Sequence, residues 1–182
     1  MHQYDYVIVG AGSAGSALAN RLSESGKFTV CLLEAGGSDK KFWVQMPLGY
    51  GKVFHDPSVN WRYMTEPEPN LDNQSVYWPR GKVLGGSSSI NAMVWVRGHK
   101  RDYEEWASVA PGWDWNNVQK IFNRIENWDG TSDVSRGMNG PQAVHDVSSD
   151  VHPLTISYLE AASQIGIKTN ADYNGPNMEG AS

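Results

Sequence analysis

The sequence predicts an α/β fold built on a parallel sheet, and three adjoining stretches predict it. Tyr6-Val7-Ile8-Val9 is a continuous β-prone run, the pattern of a strand buried on both faces. Gly10-Ala11-Gly12-Ser13-Ala14-Gly15 follows at once and reads G-x-G-x-x-G, then Ala17, Leu18, Arg21 and Leu22 mark a helix over Ser16 to Ser25. Thr29-Val30-Cys31-Leu32-Leu33 is a second buried strand and ends on Glu34. Strand, glycine turn, helix, strand and acid, in that order, make a dinucleotide-binding unit of Rossmann type.

Each part of this unit has a physical role. Gly10 permits the tight turn, Gly12 lets a pyrophosphate approach the backbone, and Gly15 lets the helix pack on the strand. The first N–H groups of the helix and its dipole suit an anion. Gly26 supplies the C-terminal stop. Glu34 follows Gly15 at roughly the 20-residue interval at which a carboxylate accepts from the ribose hydroxyls. An acid there disfavours a 2′-phosphate, so NADP is not expected, while FAD and NAD both remain open.

Composition narrows the class. A chain of 182 residues holds one domain with a real core, or one domain and part of another. The net charge is −5 and no basic block occurs, which argues against nucleic acid and anionic membrane as partners. The single Cys31 allows no internal disulfide and no thiolate metal cluster, and its place in an apolar run reads as core. No stretch approaches the roughly 20 apolar residues of a membrane span, and no leader pattern opens the chain. A soluble, cytoplasmic protein is expected. Eight Trp residues imply a large packed interior or aromatic-lined surfaces.

Residues 38–80 break the βαβ rhythm with Pro47, Gly49, Gly51 and Pro57. Their aromatic content suits an ordered excursion with short helical turns. Trp61 to Thr65 and Val76 to Trp78 read as a hairpin around a turn at Leu71 to Gln74. Trp61 suits either a ring-stacking role or core packing. The hairpin delivers the stretch Arg80 to Val94, with Gly85-Gly86 followed by Ser87, Ser88 and Ser89. The glycines permit a sharp turn and close approach. The serines suit the cap of a helix, on which Asn91 would lie one turn beyond Ser87.

These motifs together resemble the glucose–methanol–choline (GMC) oxidoreductase family. The resemblance rests on Gly10 to Gly15, Leu32-Leu33-Glu34-Ala35-Gly36, Asn60-Trp61 with Thr65-Glu66-Pro67, and above all Gly81 to Asn91, which is similar to the family's first signature. Tyr103, Gly112-Trp113 and Asn174-Gly175 also match. The resemblance implies FAD as cofactor and oxidation of CH–OH groups, alcohol to aldehyde or ketone, by hydride transfer to flavin. Its partners would be a small-molecule alcohol and an electron acceptor, oxygen or another. It places the pyrophosphate at Gly12, Ser13 and Ala14 and the ribose at Glu34, with Gly10, Gly15 and Ala35 also among the cofactor-binding residues. Contacts on the flavin side fall at Trp61, Gly81, Gly86, Ser87, Asn91, Ala92, Met93 and Val94.

Some family members carry a His before the Asn and bond FAD through it. Here Ile90 stands there, so FAD is expected to be non-covalent. The family's catalytic His lies near the C-terminus of much longer chains, so no catalytic residue is assigned within these 182. The chain resembles an N-terminal piece, with a catalytically inert dinucleotide-binding module as the alternative reading.

The remainder predicts a helix from Arg101 to Val109, and another from Trp115 through Trp128 with an aromatic and aliphatic stripe. An exposed loop at 129–140, a short strand from Gln142 and a helix from Pro153 to Ile165, with Leu154, Tyr158, Leu159 and Ala162 on its face, complete it. The five histidines show no metal-ligand spacing, and His99 reads as a solvated loop residue. The expected division is an FAD-binding domain over 1–145, containing the excursion 38–80 and the signature 81–94, and the start of an α+β substrate-binding domain over 146–182.

Overall fold

The computed structural model describes residues 2–131 and 134–182. They form two compact units, one up to Val94 and one over Trp95–Ser182.

In the first unit β1 (Tyr6–Val9) pairs in parallel with β2 (Val30–Leu33), in the register Tyr6↔Val30 to Val9↔Leu33. The crossover is α1 (Ser13–Ser23), which starts directly after the glycine turn and so takes in three residues more than the apolar spacing indicates. Gly26 at φ +67° ends the turn beyond it. Thr29 donates from its N–H and hydroxyl to Asp5 Oδ2 at 2.7 and 2.8 Å, which ties the strand starts together. These bonds hold the Asp5 carboxyl below the usual range.

The strands are not buried on both faces. Ile8 is buried under α1, but Val7 is 58% and Val9 84% exposed, and Leu33 is 50% exposed. Cys31 is half-buried. Side chains alternate across a sheet, and α1 covers only the Ile8 face. The opposite face is open among the described residues.

The excursion forms α2 (Phe42–Gln45), a 3₁₀ turn at Pro47–Gly49 and α3 (Tyr50–Val53). The hairpin is present as β3 (Tyr63–Met64) antiparallel to β4 (Tyr77–Trp78), with Asp72 and Asn73 left-handed at its turn. Val53, Val59, Val83 and Ile90 make the core of the unit. Most of the excursion's aromatics lie on the surface, Trp43, Trp61 and Trp78 among them.

The second unit contains α4 (Lys100–Ala107), α5 (Trp115–Ile125), β5 (Glu126–Trp128), β6 (Gln142–Val144) and α6 (Pro153–Gln164). His99 is not a free loop residue: its Nδ1 accepts from Arg101 N–H at 3.1 Å, and its own N–H donates to Asp102, closing a capping box. Asp114 caps α5 by accepting from Asn117 N–H at 3.1 Å.

The helix predicted through Trp128 stops at Ile125. Glu126 to Trp128 extends and pairs in parallel with Gln142 to Val144. Segment 137–140 takes the place of the next helical turn. Trp128 N–H donates to Gly137 O and Gly140 N–H to Glu126 O, each at 2.8 Å. The backbone comes so close that a Cβ on Gly140 would lie 2.1 Å from Ile125 C. The predicted exposed loop is correspondingly wrong at its centre, because Ser135, Arg136 and Gly137 are buried.

A charge network explains that burial. The Glu126 carboxylate, fully buried, pairs with Arg97 and with Arg136, the latter at 2.8 Å, and Arg136 also grips Asp172 at 2.8 Å. Arg97 packs over Phe122 and Arg136 over Trp128. Burial lowers the Arg97 pKa, opposed by the Glu126 charge. On α6, Leu154 and Tyr158 are exposed and Ala162 is buried, so only part of its expected apolar face is covered.

Candidate functional site

The site is built by backbone. Gly10 takes φ +97°, and its N–H donates to Leu33 O at 2.7 Å, so β1 turns directly into α1 beside the end of β2. Gly15 sits where a Cβ would lie 1.9 Å from Gly10 O and 3.3 Å from Ile8 Cγ2, which makes it a packing requirement of the fold. Gly12 differs. Its φ and ψ of −74° and −173° suit any residue, and a Cβ there would meet nothing closer than Gly86 Cα at 3.9 Å. Nothing in the chain itself demands a glycine at 12. No side chain caps α1, and its first turn carries no acid, so its leading N–H groups lack side-chain partners.

The segment Arg80–Ser89 closes on this turn. Gly85 N–H donates to Ala11 O at 2.8 Å, and Gly86, at φ +60°, is buried so closely that its Cβ would lie 2.8 Å from Gly12 Cα. Leu84 N–H donates to Gly37 O at 2.9 Å and Lys82 N–H to Val59 O at 2.7 Å. Two glycine runs, far apart in sequence, therefore face each other.

Glu34 stands at the end of β2, half-buried. Its Oε2 accepts from Ala11 N–H and its Oε1 from Gly36 N–H, both at 2.8 Å. The carboxylate thus fixes the glycine turn itself, and each oxygen keeps a lone pair for a further donor. Ser13, Ala14 and Ala35 are exposed beside it.

The expected helix after the serines is absent. Gly86–Ser89 is a single 3₁₀ turn, and Ile90 turns into the core. The left-handed glycines set this turn, and Ser88 and Ser89 hydroxyls donate backwards to Gly85 O and Leu84 O, both at 2.6 Å. Ser87 Oγ accepts from Gly81 N–H at 3.1 Å. Hence no helix dipole acts at the serines. Asn91 turns on itself, accepting from Met93 N–H at 2.9 Å, and Ala92, Met93 and Val94 are exposed. Asn91 and Met93 line a cavity of about 130 Å³ with Trp43 and Tyr50. The structure brings Gly10, Gly12, Gly15, Glu34, Gly81, Gly86 and Ser87 together, and Asn91 to Val94 form no hydrogen bond to the glycine turn.

Trp61 joins from the other side. Its N–H donates to Arg80 O at 2.9 Å, and its ring stacks parallel on Tyr63 with Lys82 Nζ 4.5 Å from its centre. The residue that holds it there, Asn60, entered the sequence analysis only as part of a motif, with no role of its own. Asn60 is buried; its Oδ1 accepts from Arg62 and Arg80 N–H at 2.9 and 3.0 Å, and its Nδ2 donates to Phe54 O at 2.8 Å. An Asn after the apolar Val59 and before Trp61 was the available signal. A cavity of about 480 Å³ lies by Trp61 and not against Gly12.

The model of the GMC oxidoreductase N-terminal domain matches residues 4–182. The chain belongs to the GMC oxidoreductase family. Among GMC relatives, the oxygen-dependent choline dehydrogenase of Rhizobium etli is 48% identical over 179 residues, 98% of this chain and 32% of that protein. An alcohol dehydrogenase [acceptor] of Pseudomonas putida is 44% identical, covering 97% of this chain and 32% of its own length. The pyridoxine 4-oxidase from Mesorbium loti superposes with a TM-score of 0.90 at 33% identity, over 98% of this chain and 35% of that one. This GMC chain thus spans about a third of the length of the curated relatives it matches. Among the described residues no helix is long and apolar enough to cross a membrane, and no group of acids, histidines or cysteines could hold a metal.

Proposed function

We propose that this chain is the FAD-holding N-terminal part of an oxidoreductase that converts an alcohol to an aldehyde or ketone, in a Rossmann-type cofactor domain. The observation that carries the reading is Gly12. The chain has room for a Cβ there and yet has a glycine, opposite Gly86 and at an uncapped helix start. A diphosphate fits that combination, since it needs both close backbone approach and free N–H donors. Ser13, Ala14 and Gly15 would supply those donors. Glu34 would accept from the ribose with Ala35 alongside, while Trp61, Gly81, Gly86, Ser87, Asn91, Ala92, Met93 and Val94 lie towards the flavin. Relatives and neighbours described as choline dehydrogenase, alcohol dehydrogenase [acceptor] and FAD-dependent oxidoreductase support the same class.

The bound flavin would accept hydride from the substrate carbon. This chain's residues bind and orient it. They are not read as supplying the proton acceptor: of the five histidines, His55 stacks on Tyr77, His99 and His152 cap helices, and His145 pairs with Asp129. Attachment is non-covalent, because Ile90 has no nucleophilic atom and packs in the core. On this reading residues 1–145 serve the cofactor and 146–182 begin a substrate domain.

The test is to titrate the chain with FAD, follow flavin fluorescence, and precipitate with acid. Saturable binding with all flavin released intact is expected. Absence of binding, or flavin retained in the pellet, refutes the cofactor reading or the non-covalent attachment respectively.

A further inference from the structure

We propose that the cavity beside the β3–β4 hairpin binds a small organic anion, a carboxylate on an apolar body, through Arg62 and Lys82. At about 480 Å³ it has the size of a small-molecule site. Both charged groups lining it are cations, and no carboxylate lines it. Among the described residues neither Arg62 nor Lys82 takes part in an ion pair, and neither side chain donates a hydrogen bond; Lys82 only rests over the Trp61 ring at 4.5 Å. Two uncompensated cations in one concavity concentrate anions, and a guanidinium takes a carboxylate through two parallel N–H bonds.

Arg62 is also placed deliberately. Its backbone is left-handed, at φ +58°, which a non-glycine residue adopts at a cost. The buried Asn60 holds it so, accepting Arg62 N–H at 2.9 Å. Asn60 is itself anchored to Phe54 O and lies close to the Tyr77 hydroxyl. Trp61 and Met64 supply the apolar wall, and Met64 is 58% exposed. A quaternary ammonium is the wrong occupant, since it would face two like charges and find the Trp61 ring already under Lys82. The cavity does not include Gly12, Glu34 or Gly86, and it shares Trp61 with the flavin-side residues of the cofactor reading.

The test is calorimetric titration of the full chain with benzoate, with its neutral analogue benzamide, and with benzyltrimethylammonium. Benzoate should bind, benzamide at least about tenfold more weakly, and the cation not at all. Lys82→Met keeps the aliphatic stem, and Arg62→Asn tolerates the left-handed backbone. With circular dichroism unchanged, each should weaken benzoate by about tenfold or more, the loss of one charge-assisted contact. Equal binding of benzoate and benzamide by the parent chain, a comparison that needs no variant, would overturn the proposal. So would variants that bind as the parent does. Failure of FAD to bind, with benzoate still discriminated, would instead count against the cofactor reading alone.

Discussion

Gly12→Ala and Gly15→Ala separate what the fold needs from what the ligand needs. The two residues lie in one turn and would each gain one methyl group. At Gly15 the new Cβ would sit 1.9 Å from Gly10 O, a backbone atom that cannot give way, so α1 must move off β1. At Gly12 the nearest atom would be 3.9 Å away and φ is −74°, so the folded chain accepts the methyl. Alanine is a poorer N-cap than glycine by about 0.5–1 kcal/mol. It also removes about 0.4–1 kcal/mol of unfolded-state entropy. The two effects nearly cancel, and the melting temperature of Gly12→Ala should stay within about 4 °C of the parent. The ligand has no such freedom. A methyl group in a close backbone contact costs about 1–3 kcal/mol, which is about 5- to 150-fold in affinity. Thermal unfolding by circular dichroism and FAD titration on the same samples measure both quantities. Gly12→Ala should melt with the parent and bind FAD weakly, while Gly15→Ala should lose stability. A Gly12→Ala chain that binds FAD with parental affinity would refute the assignment of this turn to the pyrophosphate. One that unfolds would refute the steric reasoning.

Three further outcomes follow from the geometry. Glu126→Gln removes the charge between Arg97 and Arg136 in a fully buried site, and should lower stability by about 3–5 kcal/mol; an unchanged urea midpoint would show that the pair contributes nothing net. Glu34→Gln can accept only one of the Ala11 and Gly36 N–H groups and sets its NH₂ against the other, a loss of about 1.5–3 kcal/mol. Hydrogen exchange at those two amides should quicken and FAD affinity should fall, and protected amides would contradict the bonding. Asp129 is held below the usual carboxylate range by its bonds to the His145 ring and Asp146 N–H. The stability it contributes is present above about pH 3.9 and lost as pH falls through the lower folded value. Asp129→Asn should lack that part of the acid transition, and parallel acid titrations of the two chains would dismiss the link.

Local chemistry made the βαβ unit legible. Gly10, Gly15, Gly26 and the apolar runs act on neighbours within a few residues, and the structure follows them to within three positions. The hairpin was legible for the same reason, since Pro67, Pro69 and the Asp72-Asn73 turn punctuate it. Two features defeated that logic, because their causes lie far away in sequence. Trp128 fits the helical stripe of α5, but pairing with Gln142 to Val144 and the reach of Glu126 to Arg97 and Arg136 favour an extended chain there. Ser87 to Ser89 have the composition of a helix cap, but the Ser88 and Ser89 hydroxyls donate back to Gly85 O and Leu84 O, and Ser87 Oγ accepts from Gly81 N–H. Burial was overestimated on β1 and β2, since a pattern of consecutive apolar residues states what a strand can bury and says nothing of whether both covering layers are present.

The Arg80–Ser89 segment links the site to the stability of its unit. Its amides bond to Val59 O, Gly37 O and Ala11 O through Lys82, Leu84 and Gly85, while Val83 between them is fully buried in the core. The same few residues therefore hold β1, β2 and the excursion together and form one wall of the glycine cradle. On the proposed reading, a cofactor held there would bind only the folded arrangement. At a hundredfold excess over its dissociation constant it adds about 2.7 kcal/mol to stability. On that reading folding and cofactor loading in this unit are one coupled equilibrium, and the glycines at 12 and 86 are where the two halves of it would meet.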